Sequence, residues 1–97
     1  SSYPTFNLDD NLTLIKVKNI SNKSLKDCFN LKSVNFGEDT MPKLDDLSEI
    51  YGLFKNNESH KFTDILNSLN LNEDNIKRGI MFLLKYGFLS IMESKGG

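Results

Sequence analysis

His60 and Cys28 are the side chains best suited to chemistry in this chain of 97 residues, and each type occurs once. A histidine can serve as general base or metal ligand, and a cysteine as nucleophile. All of these roles need partners. One His and one Cys provide no paired zinc-ligand spacing. A single cysteine also precludes an internal disulfide and fits a reducing compartment. His60 lies in a polar stretch and reads as a loop histidine without a catalytic role. Cys28 lies between Leu25 and Phe29 on an apolar face, which reads as a buried, unreactive thiol. The carboxylate pairs Asp9–Asp10 and Asp45–Asp46 are sequence neighbours, which point to different faces and make no acid–base dyad. The glycines of "FGED", "YGLF" and "KYGF" stand alone, without the pattern of a phosphate-cradling loop. These residues argue for a non-catalytic protein, with no cofactor, metal or small-molecule substrate implied.

Binding is the remaining chemistry. Lys55, His60, Lys61, Lys77, Arg78 and Lys85 could gather into a basic face for nucleic acid, with Lys61, Lys77, Arg78 and Lys85 as its centre. Glu58, Asp64, Glu73 and Asp74 interrupt them, so a mixed solvated face is the competing reading. The formal net charge is -1 and the pI about 5.7. Dedicated nucleic-acid modules are usually basic, because neutralising phosphate supplies most of their affinity. A hydrophobic fraction of 38% and an aromatic fraction of 10% provide for one small core and are too high for a disordered tail. No apolar run reaches the roughly 18 residues of a membrane span. "SSYPTFNLDD" has neither the basic nor the apolar region of a signal peptide. The expected location is intracellular, nucleus or cytoplasm alike, and the terminal "SS" and "GG" read as junctions or cut points of a longer chain.

The elements that must position these residues follow from periodicity. "LTLIKVK", Leu12 to Lys18, alternates as a strand does. Leu25, Cys28 and Phe29 make one face of a short helix capped by Ser21 or Ser24. A stronger helix follows, capped by Thr40, with Pro42 in its first turn and Asp45 and Asp46 near its positive end. Leu44, Leu47, Tyr51 and Phe54 form its buried stripe, with Ile50 beside it. "KNNESHK" reads as a loop. "FTDILNSLN" is a short helix turning Ile65, Leu66 and Leu69 inward. Asn72 caps the next helix, and Glu73 and Asp74 occupy its first turn. Its core stripe is Ile76, Ile80, Leu83 and Leu84. Gly87 falls where a left-handed cap belongs, and "FLSIM" continues as a strand.

Over about residues 41 to 93 this order resembles the winged-helix domain, a helix-turn-helix variant with a β-hairpin wing. Ile65, Leu66, Ile76, Ile80, Leu83, Gly87, Phe88 and Leu89 carry the resemblance. It implies an α+β, mostly helical fold. Residues 40–97 would form a three-helix core with a small sheet and a truncated or incomplete wing. Residues 1–39 would add an extra N-terminal strand and helix packed on that core. The wing needs a second strand, and "LTLIKVK" could substitute by pairing with "LSIM".

The last helix then carries the functional expectation. Asn75, Arg78, Gly79, Phe82, Lys85 and Tyr86 are expected to face outward, with Lys77 and Met81 on the borders. A reading helix meets phosphates and base edges with its first turn, where this chain has two carboxylates. Arg78, Met81, Phe82, Lys85 and Tyr86 instead match the make-up of protein hot spots. The competing reading packs Phe82 and Met81 under the N-terminal segment. The expected function is a protein-interaction or dimerisation module of a larger protein or complex, with a nucleic-acid-binding domain as the alternative.

Overall fold

The computed structural model describes residues 12–17, 22–33, 41–54 and 58–92. They form an α+β fold: β1 (Thr13–Lys16), α1 (Asn22–Ser33), α2 (Leu44–Gly52), β2 (Ser59–Lys61), α3 (Phe62–Ser68), α4 (Glu73–Lys85) and β3 (Leu89–Ile91). The strands make one antiparallel sheet in the order β2-β1-β3. Leu14 stands opposite His60 on one side and Ile91 on the other. The expected pairing of the N-terminal strand with the C-terminal one is therefore present. Main-chain bonds extend it at both ends, from Val17 N–H to Phe88 O at 3.0 Å and from Met92 N–H to Thr13 O at 2.8 Å.

β2 departs from the expected loop. "ESHK" lacks β-branched and aromatic residues, so nothing local marks a strand. Pairing with β1 satisfies its backbone. His60 secures it further: Nε2 donates to the Leu53 carbonyl at 2.8 Å, and the ring stands edge-on to Phe54, centroids 4.9 Å apart. His60 is thus a half-buried strand residue that ties the sheet edge to the end of α2. Leu12 O accepts from Phe62 N–H at 2.8 Å, so α3 starts directly off the sheet.

α2 begins later than its sequence implies. Lys43 is the N-cap, in extended conformation, which leaves Pro42 ahead of the helix and not in its first turn. Thr40, Lys55 and Ser21 lie outside the described residues, and Ser24 lies within α1. Asp45 and Asp46 do occupy the first turn of α2. Leu47, Ile50, Tyr51 and Phe54 are buried. Leu44 is only half-buried, because it starts the helix at the edge of the core.

α4 shows how side chains and backbone agree. The Asn72 side chain accepts from Asp74 N–H at 2.7 Å, satisfying one of the orphan donors of the first turn. Ile76, Ile80 and Leu83 are fully buried. Leu84 is half-buried, since its position lies on the flank of the stripe. At the other end, Phe88 N–H donates to Leu83 O at 2.8 Å and Gly87 N–H to Leu84 O at 3.3 Å. This pair of bonds is the Schellman arrangement, and it requires the φ of +81° that Gly87 has. A Cβ there would meet no atom within 4 Å. The main cost of filling the position is therefore backbone strain. Gly87→Val should lose about 1–2 kcal/mol in urea unfolding, and Gly87→Asn less.

The core joins both sequence segments. Leu14 of β1 and Leu25 of α1 belong to the same buried cluster as Leu47, Ile50, Ile65, Ile80 and Leu89. The strand and helix read as an extension thus complete the sheet and the core.

Candidate functional site

α4 positions most of the expected binding residues, and two of them point the other way. Phe82 has 0% exposure. Phe29 of α1 packs on it with ring centroids 6.3 Å apart, and Tyr86 with centroids 4.8 Å apart. Gly79 is buried too, with its Cα facing Ile50 and Leu47 of α2. Both stand among the residues expected to face outward; for Phe82 the competing reading holds, since it packs under α1 of the N-terminal segment. The reason is that α4 has two neighbours: α2 comes up against Gly79, and Phe29 of α1 covers the Phe82 side. A buried arc that wide leaves a narrower outward face.

That face carries Asp74, Arg78, Met81 and Lys85. Asp74 and Arg78 are exposed, Met81 and Lys85 half-buried. The Arg78 guanidinium reaches Asn75 Oδ1 at a long 3.4 Å. Beside it, Lys77 Nζ pairs with Glu73 Oε2 at 3.1 Å across one turn. Lys61 stands exposed on the outer strand β2, a different element from the other basic residues expected to join it.

Tyr86 is half-buried at the exit of α4 and collects two cations. Lys85 Nζ lies 5.6 Å from its ring centroid, and Lys32 Nζ, from α1, 5.2 Å. Lys32 lies outside the set expected at α4; with Lys16, Lys18, Lys23 and Lys26 it reads from sequence as a sparse basic group of ordinary surface, and the docking of α1 brings it to Tyr86. Burial pushes the Tyr86 phenol above its ordinary range, with the Cys28 sulfur adding to the effect. Burial likewise pushes the Cys28 thiol up, opposed in part by the Lys32 charge. The sulfur is half-buried and favours the protonated form, which is the less nucleophilic one. Among the described residues no group of three or more His, Cys, Asp or Glu could hold a metal ion. None of the described helices is long and apolar enough to cross a membrane. No protein-family model, curated protein or solved structure matches the chain.

Proposed function

We propose that this chain is a non-catalytic winged-helix docking module of a larger intracellular protein or complex, and that it meets a protein partner with the outward face of α4. The observation that carries the proposal is the exposed acidic first turn, Glu73 and Asp74. In a nucleic-acid reader that turn approaches phosphates. A carboxylate about 4 Å from a phosphate costs about 1–4 kcal/mol, depending on how much water screens it. Glu73 also occupies the charge of Lys77, one of the cations a reader would need. The winged-helix resemblance draws support from the antiparallel pairing of β1 with β3, which is the pairing a substitute for the second wing strand would need.

With Phe82 in the core, the docking residues are Arg78, Met81 and Lys85, with Tyr86 at their margin. Arg78→Glu and Met81→Asp should weaken partner binding and leave the melting temperature nearly unchanged. The competing outcome is nucleic-acid binding through Lys61, Lys77, Arg78 and Lys85. Fluorescence anisotropy with a labelled duplex and a labelled single strand separates the two. Docking predicts no micromolar binding at physiological salt. Micromolar binding that falls steeply with salt, and tightens in Glu73→Lys or Asp74→Lys, would overturn it.

A further inference from the structure

The outward face of α4 is complementary to itself. Asp74, Arg78, Met81 and Lys85 follow one another at intervals of four, three and four residues. At about 3.6 residues per turn they fall within an arc of about 60°, opposite the buried Ile76 and Leu83. The stripe starts with a carboxylate in the first turn and ends with an ammonium in the last. Asp74 and Lys85 are about 16 Å apart along the axis at about 1.5 Å per residue. If a second α4 lies antiparallel across a two-fold axis near Gly79 and Ile80, Asp74 of each copy faces Lys85 of the other. Arg78 of each then faces Met81 of the other, whose thioether and methylenes accept its aliphatic stem. A parallel pairing would set Asp74 against Asp74 and Lys85 against Lys85. The opposed helix dipoles favour the same antiparallel choice.

We infer that the partner docked on this face is a second copy of the chain, held as an isologous pair by the Asp74–Lys85 and Arg78–Met81 contacts of antiparallel α4 helices. This rests on the docking function proposed above and names its occupant. The contacts are few and lie at the surface, with Asp74 and Arg78 exposed and Met81 and Lys85 half-buried, so the association is weak and salt-sensitive.

Charge exchange tests it. Sedimentation velocity of the whole chain, from micromolar to millimolar and in low and high salt, should show a monomer–dimer equilibrium. Asp74→Lys and Lys85→Glu should each weaken it about tenfold, because each replaces two attractive pairs by two repulsive ones. An equimolar mixture of the two single variants, and the double variant, should both return to the strength of the original chain. Circular dichroism of each variant checks that α4 is intact, and the mixture keeps the test sound even if the double variant folds poorly. A monomer at every concentration would overturn the inference, as would a dimer indifferent to both substitutions or one the mixture does not restore. A chain that stays monomeric and binds no nucleic acid leaves docking to a different protein standing. Tight, salt-dependent duplex binding removes both proposals together.

Discussion

Phe82→Ala should destabilise the protein by about 3–5 kcal/mol, among the largest effects of any single truncation here. The ring is fully buried and touches two other aromatics, Phe29 and Tyr86. Its removal takes away the transfer free energy of the ring and two tilted aromatic contacts, and leaves a void between α1 and α4. A domain of this size has about 5–15 kcal/mol to lose. The melting temperature should therefore drop by more than about 12 °C, at roughly 4–8 °C per kcal/mol. Phe82→Leu, which keeps most of the volume, should recover most of it. Loss of partner binding in Phe82→Ala would then report unfolding, and for this reason the docking test uses Arg78 and Met81. An unchanged melting temperature would place the ring at the surface and α1 elsewhere.

Gly79→Val should cost about 1–3 kcal/mol by overpacking. A Cβ at Gly79 would run into Ile50 Cδ1 and reach within 3.7 Å of Leu47 Cδ2. Ile50 and Leu47 are themselves fully buried, so the added branches have nowhere to go unless α2 and α4 move apart. Gly79→Ala is the informative control. Alanine gains about 1 kcal/mol of helix propensity over glycine, which offsets the shift of one terminal methyl. Urea unfolding should show alanine near neutral and valine well below it. Equal tolerance of both would mean that the two helices are not in close contact at this position.

These two residues also mark where local sequence stopped being informative. The Asn72 cap, the acidic first turn, the Ile76–Ile80–Leu83 stripe and the positive φ of Gly87 depend on neighbours within a few positions, and each is legible from spacing. Phe82 and Gly79 sit off the main stripe, and only the presence of α1 and α2 on two sides of α4 decides their burial. β2 was illegible for a similar reason: Ser59, His60 and Lys61 have no strand propensity, and their conformation comes from β1 and from the bond between His60 and Leu53. Of the expected docking residues, Arg78, Met81, Lys85 and Tyr86 keep some access to solvent. Lys32 joins Tyr86 through tertiary packing that no local pattern records.

The order of the sheet sets a timetable. β1 lies between β2 and β3, so neither of those strands has a neighbour until β1 arrives. Lys16 pairs with Leu89, which closes a loop of roughly seventy residues whose entropy must be lost before the strand bonds repay it. Helices α2, α3 and α4 rely on nearer contacts and can assemble first. On a ribosome β1 is made first and can pair with β2 well before β3 emerges, and through that interval its β3-facing edge is open to other chains. The sheet is expected to close after the helical contacts, so substitutions in β1 should speed unfolding more than they slow folding in stopped-flow measurements.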